Sequence, residues 1–383
     1  MEPNKNIKVC HFSSVHSIHD TRVFSRECVS LARYFDVTLI AIGNFTGHKQ
    51  GVRIIGIPKA KTKLERILGT TFRVFISAIK TEADIFHIHD AEMLPFALLL
   101  GMLGKNVIYD IHENTKQDIL LKPWLKPNLK AKAAGMYDAL LKFSSRLVHY
   151  IPVVANEQFL PIFHVKPMQY TIIQNFADVD EMLKYRVEDR LILPDNHIFY
   201  VGMIRDMYYD FNVLIEAVYL LKQKGFIVFV HAVGYFGANV RHDFEDNTYW
   251  KEVKDQIHFY GKLSMDSAYR ISMQCKLGIC LKNQPEEMLV SHERKFFEYM
   301  AVALPSVFCQ SKIYIEVSDT YKIGENIDLK SAEEMANAIH KILNNEDEYR
   351  LMQANCIKAS EEKYNWKSQE AILVNLYERL IRN

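Results

Sequence analysis

Apolar positions recur along the first half of the chain in two alternating rhythms. Short, mainly apolar runs of strand length occur at residues 7–12, 37–42, 52–57, 84–89, 107–111 and 147–153. Between them apolar residues return every three or four positions, as at 22–34 and 64–79. A short continuous run suits a strand covered on both faces, and a 3.6-residue period suits a helix with one buried stripe. Their alternation predicts a parallel sheet flanked by helices. After Ile172-Ile173-Gln174-Asn175 the alternation restarts, with strands expected at 198–201, 227–230, 257–260, 277–281 and 306–309 and helices at 212–224 and 295–303. Helical patterns at 332–343, 346–364 and 367–381 close the chain.

A length of 383 residues exceeds what one core fills, since single cores stop growing near ~250–300 residues. The expected fold is therefore α/β: two doubly wound Rossmann-like domains facing a central cleft, with a hinge around 168–182. The boundaries are set at 1–170, 171–364 and a last helix at 365–383. In such sheets ligands bind beyond the carboxyl ends of the strands, so polar residues just after each strand are the candidates.

Composition narrows the class. Apolar residues make up 49% and charged residues 24%, which places the chain among globular proteins. No apolar run reaches the ~18–20 residues that span a bilayer. The first six residues are polar, so no secretory signal is expected. The six cysteines form no CxxC pair and read as buried, reduced thiols of a cytoplasmic protein. The net charge of +1 conceals an asymmetry: residues 1–150 hold 21 Lys and Arg against 13 Asp and Glu, and the remainder 26 against 33. A basic first half implies an anionic partner, either nucleic acid or a lipid surface. No nucleic-acid recognition motif is present, so no nucleic acid is expected.

Several strand ends are rich in chemistry. Ser13 to Arg22 follows the first strand and includes His19, Asp20 and Arg22. A polar loop entering a helix can hold an anion on free N–H groups, or Asp20 can simply cap the helix. His87, His89 and Asp90 end another strand, the two histidines on one face. They offer no third zinc ligand at a suitable spacing, so no metal is expected. His112 and Glu113 end the next strand, where a histidine beside a carboxylate suits acid–base or orienting work. In the second half Gly202 follows a strand and precedes Arg205, which suits a phosphate: glycine lets the backbone approach and arginine offers a fork of donors. Lys295 and Glu298 lie three apart at the start of a helix. A carboxylate there can accept from the two vicinal hydroxyls of a ribose. The plain alternative is an exposed ion pair.

Taken together these motifs resemble the retaining glycosyltransferases of family four, of bacterial surface-glycan type. The resemblance rests on His19-Asp20-Thr21-Arg22, His87-Ile88-His89-Asp90, Tyr109-Asp110-Ile111-His112-Glu113, Ile173-Gln174-Asn175-Phe176, Gly202, and Lys295-Phe296-Phe297-Glu298-Tyr299-Met300-Ala301. It implies the two-domain B fold, with residues 1–170 on the acceptor side, 171–364 binding the nucleotide sugar, and the last helix packing back on the first domain. It implies metal-independent transfer of a sugar from a UDP-sugar, or a GDP-sugar, to a glycan or lipid-linked acceptor with retention, in cell-surface polysaccharide synthesis. No cofactor is implied, because the nucleotide sugar is a co-substrate. Glu298 inherits the donor ribose and His112 a place beside the transferred sugar. Gly202, Arg205 and Lys295 fall to the donor phosphates, and His19, Asp20, Arg22, Asp90 and Glu113 to the acceptor side. Two positions depart from the pattern. Val290 stands where many members have a glutamate, and no second cation follows Arg205 within Asp206 to Asp210. The alternatives are a non-catalytic partner of another glycosyltransferase and a nucleotide-sugar 2-epimerase.

The basic half carries a further expectation. Residues 59–80 combine Leu64, Ile67, Leu68, Phe72, Phe75, Ile76 and Ile79 at helical spacing with six basic residues and Glu65. This stripe is expected to pack on the sheet. Residues 116–146 add seven basic residues around Trp124, where Pro123 and Pro127 disfavour a core helix. Tryptophan among lysines suits an anionic membrane surface, so peripheral attachment to the inner face is expected.

Overall fold

The computed structural model describes residues 5–112, 114–122, 125–154, 157–164, 169–206, 208–237, 240–282 and 292–382. Glu113, Pro123, Trp124 and Val290, four residues singled out above, lie outside these. The chain divides into two compact units, Met1–Asn175 with Lys367–Asn383, and Phe176–Trp366.

The first unit is built on seven strands: β1 Lys8–Ser17, β2 Asp36–Ile42, β3 Thr46–Lys49, β4 Val52–Ile57, β5 Ile85–Ile88, β6 Asn106–Ile111 and β7 His149–Pro152. Their order across the sheet is β3-β4-β2-β1-β5-β6-β7. All neighbours run parallel except β3, which pairs antiparallel with β4 at the edge. The inner strands are mainly apolar because helices cover both faces; Val9, Phe12, Leu39, Ile85 and Ile108 are fully or nearly fully buried. Parallel pairing sets His11 of β1 opposite His87 of β5. The sheet thus gathers histidines that the sequence holds far apart.

The second unit repeats the plan with β8 His197–Asp206, β9 Tyr209–Asp210, β10 Phe229–Phe236, β11 Ile257–Gly261, β12 Leu277–Ile279, β13 Ser306–Cys309 and β14 Gly324–Ile327. The order is β11-β10-β8-β12-β13-β14, with β9 turning back on β8. Helices Ala332–Asn344 and Glu346–Glu362 start where Ser331 accepts from Glu334 N and Asn345 from Glu348 N, the side-chain caps that free N–H groups require. Two doubly wound parallel-sheet domains are the architecture that the alternating pattern predicts.

The stripe at 64–79 behaves differently from expectation. Val74, Phe75 and Ala78 are buried, but Leu64, Ile67, Leu68, Phe72 and Ile79 are 43–68% exposed. The residues that face inward are shifted round the helix from the sequence stripe, and the larger apolar side chains are left outside. All six cysteines are free and buried. No helix among the described residues is long and apolar enough to cross a membrane.

Candidate functional site

In the first unit the helix at 21–31 begins with Asp20, whose carboxylate accepts from the backbone N–H groups of Arg22 and Val23, each at 2.9 Å. Asp20 is therefore the N-cap, the plainer of its two readings. It also holds His16 Nδ1 at 3.0 Å. Burial alone would pull His16 below its ordinary value, but the hydrogen bond to Asp20 and the charges of Asp90, Asp20 and Asp110 outweigh it and raise the pKa. His19 is exposed. The histidine of this loop that stands beside His112 is His16, with ring centroids 5.0 Å apart. Nothing in the sequence ranks one above the other, because which of them turns inward depends on how the loop folds.

Asp90 organises that same loop. Its Oδ2 accepts from Ser13 Oγ at 2.8 Å and Ser14 N at 2.6 Å, and from Val15 N at 3.3 Å. Arg22, from the first turn of the helix, crosses to Asp110 at the end of β6. The two meet through Nε to Oδ2 and Nη2 to Oδ1, both at 3.0 Å, and Nε also lies 3.0 Å from Glu27 Oε1. All three are buried. Burial works against the Asp110 charge, but Arg22, His112 and His89 hold its pKa well below the usual carboxylate range. Glu27 goes the other way. Burial and the Asp110 charge push its carboxyl well up, against the pull of Arg22.

His112 Nε2 lies 3.3 Å from Asp110 Oδ2, with the side chain 20% exposed. Burial, offset in part by Asp110, lowers its pKa to about 3, so it is a neutral imidazole at physiological pH. Behind it His89 Nδ1 is 3.5 Å from the same oxygen. His11, Glu27, His87 and His89 bring ligand-type atoms within 4.8 Å of one another. Sequence spacing found no third partner for His87 and His89; the fold supplies two, from β1 and from the helix beside it. His11 Nδ1 meets His89 Nε2 at 3.0 Å, and His87 Nδ1 meets Tyr377 OH at 2.6 Å.

In the second unit the helix Arg294–Ala301 carries Lys295 and Glu298, both buried. They do not pair as an (i, i+3) couple. Lys295 Nζ turns to Glu293 Oε1 at 3.2 Å, and lies 4.8 and 5.1 Å from the ring centres of Tyr200 and Tyr209. Tyr209 OH donates to Glu293 at 3.1 Å. Burial lowers the Lys295 pKa, but Glu293 and the tyrosines outweigh it and hold it well above the ordinary value, so the ammonium is permanent. Gly202, at φ +147°, makes room for it: a Cβ there would stand 2.6 Å from Nζ.

Glu298 Oε1 pairs with Arg294 Nε at 2.8 Å and Oε2 accepts from Tyr269 OH at 2.6 Å. The helix itself is held from behind by Arg190. This fully buried guanidinium donates to the carbonyls of Val302 at 2.8 Å, Ala303 at 3.1 Å, Ser272 at 2.7 Å and Cys275 at 2.5 Å. A cation on carbonyls at and after the ends of helices Arg294–Ala301 and Met265–Ser272 satisfies acceptors that have no intrahelical donor. Arg205 leans over the Phe244 ring at 5.1 Å and meets Asp246 at 3.4 Å. A buried carboxylate can accept from vicinal hydroxyls, and a caged ammonium beside a glycine can meet a phosphate.

Residues 184–363 match the family model described as "Glycosyl transferases group 1", a stretch inside the second unit. No curated protein sequence matches the chain. Among solved structures the chain is similar to sucrose-phosphate synthase from Thermosynechococcus elongatus, at 15% identity, TM-score 0.72, and 98% and 99% coverage of the two chains. It is similar to the Anabaena protein HepE in complex with UDP-glucose, at 13% identity, TM-score 0.67, and coverage of 97% and 100%. It is also similar to WaaG, a glycosyltransferase involved in lipopolysaccharide biosynthesis, at 13% identity, TM-score 0.66, and coverage of 96% and 98%. These likenesses establish the B fold of glycosyltransferases.

Proposed function

We propose that this protein is a retaining glycosyltransferase that moves a sugar from a UDP-sugar, or in second place a GDP-sugar, to a glycan or lipid-linked acceptor in cell-surface polysaccharide synthesis. The observation that carries the reading is the pair of buried charges on helix Arg294–Ala301, Lys295 and Glu298, inside the segment that matches the glycosyltransferase family. The UDP-glucose in the HepE complex favours a UDP donor.

In this reading Glu298 accepts from the ribose hydroxyls, releasing Arg294 or Tyr269 in part. Lys295 and Arg205 meet the diphosphate, where charge develops as the anomeric C–O bond breaks. The acceptor oxygen attacks the anomeric carbon on the face the diphosphate leaves, and its proton passes to the departing phosphate oxygen. That route needs neither a carboxylate nucleophile nor a metal. His112, neutral, orients a hydroxyl of the transferred sugar, and the loop held by Asp20 and Asp90 serves the acceptor side.

We assign the first unit to a cytoplasmic membrane face. The support is the helix stretch 64–79, whose exposed Leu64, Ile67, Leu68 and Phe72 lie among Lys61, Lys63, Arg66 and Arg73. Apolar side chains ringed by cations suit an anionic bilayer surface.

Incubation with UDP- and GDP-sugars tests the reading. A transferase releases nucleotide diphosphate and, given an acceptor, a product whose anomeric proton coupling matches the donor. Release of a C2 epimer, or binding without any release, contradicts it.

A further inference from the structure

The buried histidines of the first unit contact one another, Tyr377 and Asp110, and these contacts order their protons, although His87 Nε2, His89 Nδ1 and His112 Nε2 make no hydrogen bond. Asp110 is ionised, gripped by Arg22 through two bonds. Two imidazole nitrogens face its Oδ2, His89 Nδ1 at 3.5 Å and His112 Nε2 at 3.3 Å. A lone pair aimed at a carboxylate oxygen is repelled, so each of these nitrogens carries the hydrogen.

The rest follows, one proton to a ring. His89 has its hydrogen on Nδ1, so its Nε2 is an acceptor, and His11 Nδ1 lies 3.0 Å away. His11 therefore donates from Nδ1 and accepts at Nε2, where Tyr377 OH lies at 3.0 Å. Tyr377 spends its hydrogen there and accepts from His87 Nδ1 at 2.6 Å. His87 Nε2 ends the chain as a buried acceptor with no hydrogen-bond partner. Burial favours neutral rings and a neutral phenol: it lowers the pKa of His11, His87 and His89 and raises that of Tyr377.

We propose that Tyr377, His11 and His89 are positioning residues: a one-way hydrogen-bond chain runs from the last helix to His89, whose Nδ1 faces Asp110 at 3.5 Å, and the Asp110 charge in turn holds His112 with its hydrogen on Nε2, leaving Nδ1 to accept from the sugar. The chain deepens the role given to His112 above and rests on that reading. It explains why residue 377, which lies 366 positions from His11, has its hydroxyl in the core. The last helix spans Trp366–Arg382 and belongs to the first unit. Tyr377 is completely buried, its ring stacked near His11 and Phe35. Hydrogen bonds in series polarise one another, so the anchor at one end stiffens the other.

With the hydrogens so placed, His11 and His89 turn N–H groups rather than lone pairs toward Glu27. His11 and His89 hold hydrogens on the Nδ1 atoms nearest Glu27, each 4.0 Å from Oε2. Arg22 already supplies the cation beside Glu27, at 3.0 Å.

The test is a ¹⁵N–¹H spectrum of the full chain labelled at the histidine rings, with signals assigned through single-residue variants. The expected tautomers are Nδ1–H at His11, His87 and His89, and Nε2–H at His112. An Nε2–H or charged His11 or His89, or shifts that move on adding a chelator, would overturn the chain. Tyr377→Phe removes one oxygen and keeps the ring. It should release His87 from its single tautomer and broaden His112. Donor hydrolysis should show kcat about fivefold lower at unchanged donor KM, the split a positioning role gives. Unchanged His112 signals in the variant would refute the positioning role whether or not the protein turns over a sugar donor. Absence of turnover in wild type, with the tautomers as expected, would sink the transferase reading and leave the chain standing.

Discussion

Arg22 grips Asp110 through two parallel bonds of 3.0 Å, and both residues lie out of solvent. A planar fork meeting a planar carboxylate is a geometry that lysine cannot reproduce. Arg22→Lys keeps the charge and loses one of the two arms. Removing a partner from a buried pair typically costs ~3–5 kcal/mol, because the other charge is stranded. We expect Arg22→Ala to lose stability on that scale in urea unfolding, and Arg22→Lys to lose most of it. A loss under ~1 kcal/mol, the level of exposed pairs, would show that the pair is not desolvated.

Acid should destabilise the protein well before the carboxylates titrate. His11, His87, His89 and His112 all have pKa values lowered by burial, His112 to about 3. Unfolded, each takes a proton near its ordinary value of 6.5. Below that pH the unfolded state binds more protons, so stability falls as pH falls. Glu27, raised in the fold, has the opposite sign: its contribution is full below the unfolded value of 4.5 and is lost as pH rises through the folded one. His149 and His231, each lowered to about 4, and His197, also lowered, act with these four, whereas His16, raised, joins Glu27; seven groups against two give a melting temperature that drops from pH 7.5 to pH 5. A rise over that interval would contradict the burial of neutral rings.

The same shift bears on turnover. His112→Ala should lower kcat more than it raises donor KM. Because His112 is already neutral, the pH–rate profiles of variant and wild type should have the same shape between pH 5 and 8. A limb that disappears in the variant would mean that His112 acts as an acid or base in that range.

Lys295 should read the second phosphate. Its ammonium sits in a cage of Glu293, Tyr200 and Tyr209, where a Cβ at residue 202 would displace it from its present place. Lys295→Met and Gly202→Ala should each narrow the preference for UDP over UMP in calorimetry by about tenfold, the loss of one charge-assisted bond. A preserved preference in both variants would place the diphosphate elsewhere.

The exposed helix face predicts salt-sensitive binding to vesicles that contain anionic lipid, since surface attraction is screened by salt. Leu68→Glu with Phe72→Glu should abolish co-sedimentation and spare donor hydrolysis. Equal recovery with neutral and anionic vesicles would count against an electrostatic membrane contact.

Much of this fold is written in local pattern. Runs such as Val37-Thr38-Leu39-Ile40-Ala41-Ile42 are apolar on both faces, so the doubly wound parallel sheets were readable residue by residue. The edge strand Thr46–Lys49 was not, because its residues are polar and its partner lies across a turn. Gly324–Ile327 carries no apolar run either. The candidate donor residues were legible as a motif, but their partners were not: Lys295 pairs with Glu293 and Glu298 with Arg294, not with one another as the plain alternative had it. The histidine chain was least legible. His11 meets His87 through strand register and Tyr377 through tertiary packing, and neither leaves a spacing to read.

The central claim is that a nucleotide sugar is bound and cleaved here, with Glu298 on its ribose. The most direct test is UDP release from UDP-glucose by the full chain without acceptor, wild type beside Glu298→Gln, which keeps shape and loses charge. Loss of a hydrogen bond to a charged acceptor costs ~1.5–3 kcal/mol. We expect slow, saturable UDP release by wild type and a donor KM raised about tenfold or more in the variant, with melting temperature little changed. Identical donor KM values in the two proteins, or no release from any UDP- or GDP-sugar at millimolar concentration, would contradict the account.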